Sequence, residues 1–212
     1  SMDIAEVVKT NFPQLASSTS LIEEIGKIGV LNDYDKNTIV LKENAYIKAI
    51  PLLITGLIKI YKEEENGNEV LLYYIKPGET CIVSVMAGEK NKKAKVKGVV
   101  EEDCSVILIP KSKLFNLRKN FPNWNLYIYE QFNDKFDEVI DMVKVLTFSK
   151  KEKRLEDYLI KKSALNKSKT VNKSHQEIAN ELGSSREVIS RLLKKLEKEG
   201  KIELSLRKIQ IL

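Results

Sequence analysis

The sequence is short of the residues from which most catalytic and redox centres are built. Of its 212 residues one is histidine and two are cysteine, Cys81 and Cys104. Two thiols cannot supply a disulfide framework or a four-thiolate metal site, and an iron–sulfur cluster needs about four of them. His175 is the single imidazole, and no metal-ligand spacing is present. There is no nucleophile–base pair and no glycine-rich phosphate loop, so the chain is not expected to be an enzyme. No apolar run approaches the ~20 residues that span a bilayer. No basic-then-apolar leader opens the chain, so a cytoplasmic protein with no membrane partner is expected. Glycine and proline total 14, too few for a collagen-like or low-complexity chain. Arginine is the most unevenly missing: residues 1–117 contain none, while Arg154, Arg186, Arg191 and Arg207 account for four of the five.

What is present is charge, and its placement is informative. The chain carries 36 basic and 30 acidic side chains, a net of +6. Residues 1–114 hold 15 Lys against 16 acids, and residues 115–148 hold 4 basic groups against 5 acids. Residues 149–212 hold 17 basic groups against 9 acids. The whole basic excess therefore lies in the last 64 residues, as a polyanion-binding domain would have it.

Three textures follow one another, which predicts domains at 1–118, 119–148 and 149–212. Apolar residues at helical spacing (Ile4, Val7, Val8; Leu21, Ile22, Ile25, Ile28) begin the first. Residues 38–42, 57–62, 69–75 and 106–109 are short, rich in Ile, Val, Leu and Tyr, and bounded by turn residues, which predicts an antiparallel sandwich or roll. Asn66-Gly67 predicts a hairpin whose two central residues both take positive φ. In the second texture Tyr129, Phe132, Phe136, Val139, Val143 and Leu146 are spaced 3, 4, 3, 4, 3, a heptad seam suited to a dimer or to one face of a core helix. Ser149 and Lys150-Lys151-Glu152-Lys153 suggest a hinge and the start of another helix.

The third texture carries the function. Ser174 and Glu177 form an S-x-x-E capping box ahead of Ile178, Ala179 and Leu182; Gly183 ends that helix, and Ser184 with Glu187 suggests a second box one residue later. Ile189, Leu192 and Leu196 make the buried face of a second helix ending at Gly200. Two capped helices joined by a tight glycine turn make a helix-turn-helix, and the alternation Ile202, Leu204, Ile209, Ile211 reads as a two-stranded wing. At the start of the second helix Arg186, Glu187 and Arg191 are suited to base edges: arginine donates two bonds to guanine, and Glu187 accepts from cytosine. Glu187 and Arg191 also have the spacing of a helical ion pair. Lys173, Ser184, Ser185, Ser190, Lys194 and Lys208 are candidate phosphate contacts on double-stranded DNA. A ligand-binding adaptor whose basic domain binds RNA or protein is the competing reading.

The string from His175 through Arg191, with Leu196-Glu197 and Glu199-Gly200-Lys201-Ile202 after it, resembles the winged-helix motif of the Crp–Fnr superfamily of bacterial transcription regulators. That resemblance implies an α+β chain: an N-terminal cyclic-nucleotide-binding-type β-roll (a jelly roll), a long dimerisation helix and a C-terminal winged helix-turn-helix. It also implies a homodimer on a palindromic operator, with RNA polymerase as a partner, and it places Arg186, Glu187 and Arg191 at the base-reading positions. Pro77-Gly78-Glu79 is similar to the P-G-[DE] turn of the roll. Where cyclic-nucleotide members then carry a Gly-Glu pair this chain has Ile82-Val83, and their R-[ST]-A triplet falls near Ala94-Lys95-Val96. Lysine is a looser point charge than a bidentate arginine, so cyclic AMP is not the expected effector and no cofactor is predicted. Cys81, Ile82, Val83 and Ser84 mark the candidate effector pocket. Lys92, Lys93, Lys95 and Lys97 could hold an anion but read as a solvated hairpin face.

Overall fold

Local capping chemistry sets the first elements of the chain, for which a computed structural model describes residues 3–165 and 167–212. Asp3 caps α1 (Ile4–Asn11) by accepting the Ala5 N–H at 3.1 Å. Pro13 opens α2 (Pro13–Ala16), where its missing N–H costs nothing. Ser18 caps α3 (Thr19–Ile28). Val7, Val8, Leu15, Leu21, Ile22 and Ile25 on these helices are buried in the larger of two cores.

The roll follows as β1 (Val30–Tyr34), β2 (Ile39–Leu41), β3 (Ala49–Glu63), β4 (Glu69–Ile75) and β5 (Lys97–Pro110). Every pairing is antiparallel, in the order β1-β5-β3-β4, with β2 also on β5. β3 and β5 run 15 and 14 residues, far beyond the segments expected at 57–62 and 106–109. Register shifts around Thr55 bend β3 without ending it. Gly56 makes that bend possible: at φ 93° it lies so close to β5 that a Cβ would come within 2.4 Å of the Asp103 carbonyl. The hairpin at Asn66-Gly67 joins β3 to β4, but its turn type differs from the expected one. Only Gly67 is left-handed, at φ 85°, because Glu64 and Asn68 pair across a three-residue loop in which glycine takes the bulge position.

Residues 82–89, which gave no helical signal, form α4 (Ile82–Glu89). After β5 come a 3₁₀ turn (Lys111–Lys113), α5 (Leu114–Asn120) and the 44-residue α6 (Pro122–Leu165). α6 runs through Ser149 and the lysine run without the suggested hinge, since residues 149–153 contain neither Pro nor Gly to interrupt it. The chain divides between Ile140 and Asp141 into two compact units.

In the first unit α6 buries Trp124, Tyr127, Gln131 and Lys135. Three of them hold the turn after β4. Tyr127 Oη donates to Gly78 O at 2.9 Å, and Gln131 Oε1 accepts the Thr80 N–H at 3.2 Å. Lys135 Nζ donates to Tyr74 O at 2.8 Å and meets the Glu79 carboxylate at 3.0 Å. The heptad residues are elsewhere: Tyr129, Phe132 and Phe136 are exposed and Val139 is half-buried. They are therefore not a core face of the roll.

The second unit contains the rest of α6, with Val143 and Leu146 exposed, then β6 (Thr170–Val171), α7 (His175–Leu182), α8 (Arg186–Lys198), β7 (Ile202–Ser205) and β8 (Lys208–Ile211). The wing sheet is three-stranded, in the order β6-β8-β7, and not the two-stranded hairpin read from the sequence. A two-residue strand such as β6 is too short to show a period. Leu155 and Leu159 of α6 pack with Ile178, Ile189, Leu192 and Leu196 in the second core.

Candidate nucleic-acid interface

The two helices of the C-terminal unit are set by their caps. Ser174 Oγ accepts the Glu177 N–H at 3.1 Å, and the Glu177 carboxylate in return accepts the Ser174 N–H at 2.7 Å. The Ser174 N–H holds the Glu177 carboxyl below its ordinary range. Gly183 ends α7 at φ 63°, and the Ser184 N–H closes the turn on Ala179 O at 2.9 Å. That bond spends the Ser184 backbone on α7, so the second cap falls one residue later than the sequence suggested. Ser185 is the N-cap of α8, its Oγ accepting the Val188 N–H at 3.3 Å. No second capping box is formed with Glu187. Ser184 Oγ is enclosed without a partner, which takes this candidate phosphate contact off the outer surface.

α8 is divided cleanly by its period. Ile189, Leu192, Leu193 and Leu196 are buried, while Arg186, Glu187, Arg191 and Lys194 are exposed on the other side. The ion pair suggested between Glu187 and Arg191 is not formed among the described residues; two exposed side chains gain little from a fixed pairing in water. Some other cations of this unit are engaged. Arg154 donates to Leu182 O at 3.1 Å, and Lys201 pairs with Glu156 at 2.8 Å. Lys195 pairs with Glu152, and Lys173 with Glu181. Arg186, Arg191, Lys194 and Lys208 have no carboxylate partner among the described residues, and the same holds for Lys150, Lys151, Lys153, Lys161, Lys169 and Lys198.

Two side chains at this surface had only a partial signal in the sequence. His175 Nδ1 lies 2.8 Å from Ser190 Oγ, tying the first residue of α7 to the middle of α8 and engaging a hydroxyl read as a phosphate contact. Burial lowers the His175 pKa, and the positive charges of Arg186 and Lys194 lower it further. Arg207 takes φ 55° at the turn joining β7 to β8, which presents it at the tip of the wing beside the almost fully exposed Leu206.

In the roll, α4 separates the four candidate effector residues. Cys81 and Ser84 line an inner cavity of about 370 Å³ among Ile47, Ile60 and Ile75. Ser84 Oγ donates to Cys81 Sγ at 3.1 Å, and burial pushes the Cys81 thiol above its ordinary pKa, away from the reactive thiolate. Ile82 and Val83 line a separate outer groove.

This chain matches the cyclic nucleotide-binding domain over residues 31–121 and the Crp-like helix-turn-helix domain over residues 153–212. No curated protein sequence matches it. Its fold is that of the Thermus thermophilus catabolite activator protein (TM-score 0.74, 18% identity, covering 92% of this chain and 91% of that one). The reduced CO-sensing protein from R. rubrum is equally similar in fold (TM-score 0.76, 17% identity, covering 94% and 93%). A protein described as a transcriptional regulator of the Crp–Fnr family from Eubacterium rectale is 25% identical, over 92% of this chain and 90% of that one, with a TM-score of 0.57. The two domain matches fall one in each compact unit, and that order together with the helix-turn-helix places the chain in the Crp–Fnr superfamily, as a DNA-binding transcription regulator.

Proposed function

We propose that this regulator acts as a homodimer that reads a two-fold symmetric operator, with Arg186, Glu187 and Arg191 on base edges in the major groove. The observation that carries the reading is the two-sided α8: Ile189, Leu192, Leu193 and Leu196 are buried, while Arg186, Glu187, Arg191 and Lys194 are exposed from its N-terminal end onward, and its two arginines have no carboxylate partner among the described residues. Two unpaired guanidiniums at the N-terminal end of a groove-sized helix are free to form bidentate bonds to guanine O6 and N7. Ser185, Lys194 and Lys208 hold phosphates. The Ser185 hydroxyl already accepts from Val188, and its own proton remains for a phosphate oxygen. Arg207 adds a contact from the wing tip, while Lys173 and Ser190 first have to leave Glu181 and His175.

The seam of Tyr129, Phe132, Phe136, Val139, Val143 and Leu146, exposed but for the half-buried Val139, joins the two copies, which sets two recognition helices one helical turn apart, about 34 Å. Residues 1–118, 119–148 and 149–212 then serve as effector, dimerisation and DNA-binding segments of a cytoplasmic, non-enzymatic protein that acts on RNA polymerase. The effector is not cyclic AMP, because Ile82-Val83 brings no carboxylate for a ribose and residues 1–117 hold no arginine for a cyclic phosphate.

Selection of bound duplexes from a random library at stated salt tests this, and a palindrome is the expected product. Arg186→Ala should relax one base pair of each half-site, a loss of about 1–3 kcal/mol of discrimination. Lys194→Ala should weaken all sequences alike and flatten the salt dependence by about one unit of slope. An unchanged site profile with Arg186→Ala would refute the groove assignment.

A further inference from the structure

The outer groove of the roll has a chemistry that neither domain match specifies. α4 turns Ile82, Val83, Met86 and Ala87 to one side, at the i, i+1, i+4, i+5 positions of a single helical face. With Phe132 of α6 they floor a groove of about 310 Å³, at the lower end of the ~300–1,000 Å³ range of small-molecule sites. Met86 is 44% exposed and Phe132 49%, a large apolar area for a concave surface to leave in water.

The rim is entirely cationic. Lys90, Lys92, Lys93 and Lys95 line the groove, and none pairs with a carboxylate among the described residues. Lys59, Lys62 and Lys97 of the same roll pair with Glu69, Glu43 and Glu63 and other lysines there do not; what sets the rim apart is the clustering of four unpaired lysines on one groove. Four ammonium groups within six residues repel one another, and an anion at their centre relieves that repulsion. Lysines supply point charges without a fixed fork, which suits a carboxylate better than a cyclic phosphodiester needing bidentate donors.

We propose that this groove binds a small amphiphilic carboxylate, its apolar chain or ring on Ile82, Met86 and Phe132 and its head group among Lys90, Lys92, Lys93 and Lys95. The assignment rests on the reading of the roll as the effector domain, and it names the ligand class. Phe132 belongs both to the groove floor and to the exposed seam, so an occupant touches the surface through which two copies are proposed to meet.

Calorimetric titration of the full chain with sodium decanoate, decanol and sodium acetate is the test. Decanoate should bind saturably, with decanol and acetate at least roughly tenfold weaker. Lys93→Gln combined with Lys95→Gln should weaken decanoate about tenfold, and Met86→Lys should abolish the apolar contribution. Equal binding of decanol would remove the role of the lysines, and equal binding of acetate would remove the role of the floor. No saturation by about 1 mM would overturn the site, including the case in which a second copy covers the groove. Duplex selection without decanoate is independent of all these outcomes, so failure here and failure of the DNA-reading proposal are distinguishable.

Discussion

Replacing Lys135 by methionine isolates the most exceptional interaction in the roll unit. This lysine is 1% exposed, and its ammonium group meets Glu79 at 3.0 Å, Glu138 at 3.0 Å and the Tyr74 carbonyl at 2.8 Å. The ring of Tyr73 lies 5.5 Å from the same nitrogen. Methionine keeps the stem volume and removes the charge, leaving a buried carbonyl and a largely buried carboxylate without their donor. Breaking one partner of a buried pair costs about 3–5 kcal/mol. Glu79 is 19% exposed and Glu138 41%, so water takes up part of the loss and the low end, about 3 kcal/mol, applies. At ~3 °C per kcal/mol for a unit of this size, the transition should fall by roughly 9 °C. Trp124 is the only tryptophan, is 1% exposed and lies in this unit, so its fluorescence during urea unfolding reports the roll without interference from the DNA-binding half. In a double-mutant cycle with Glu79→Gln the coupling should exceed about 1 kcal/mol. A Lys135→Met destabilisation below about 1 kcal/mol would show that the network is not holding the turn.

Two further outcomes are expected. Because the folded pKa of His175 lies below its ordinary value, the unfolded chain binds the proton more readily; the stability of the C-terminal unit is then complete above pH ~6.5 and declines as pH falls through the folded value. His175→Gln should flatten that decline in circular-dichroism melts between pH ~5 and ~7, and an identical profile would exclude His175 as its source. Phe136 is 57% exposed, so Phe136→Glu should leave Trp124 fluorescence unchanged while weakening self-association about 100-fold by sedimentation equilibrium; an unaltered dimer would remove the seam from the interface.

The parts of this molecule legible in the sequence are those whose cause is local. The Ser174–Glu177 box, the left-handed Gly183 and the buried face of α8 depend on residues within a few positions of one another, and all three are found where the spacing puts them. The second cap slipped by one residue because its position depends on how α7 closes, through the Ser184 N–H on Ala179. β3 was seen only in part because a bend at Gly56 looks in sequence like an end, and what carries the strand past it is its pairing with β5. α4 was missed because Ile82, Val83 and Val85 are β-branched, and tertiary packing overrode their propensity. Nothing in the sequence around Lys135 marks it for burial, which follows from three acceptors brought to it by the turn and by α6 itself, none near in sequence except Glu138.

α6 therefore reverses the usual assignment of faces over residues 122–140. A helix that covers a roll ordinarily turns its apolar stripe inward and its polar residues to water. Here Gln131 and Lys135 point in, each satisfied by hydrogen bonds to the turn after β4, while Tyr129, Phe132 and Phe136 point out. The inward polar residues cannot be explained as a defect of the core, because their bonds are the ones that attach the roll to the helix. The outward aromatic residues cannot be explained as part of that core, because Trp124 and Tyr127 already fill the contact. The arrangement becomes economical only if the outer face has a partner of its own. In the proposed homodimer that partner is the same face of the second copy, and the inward hydrogen bonds of Gln131 and Lys135 then fix which residues α6 turns outward to it.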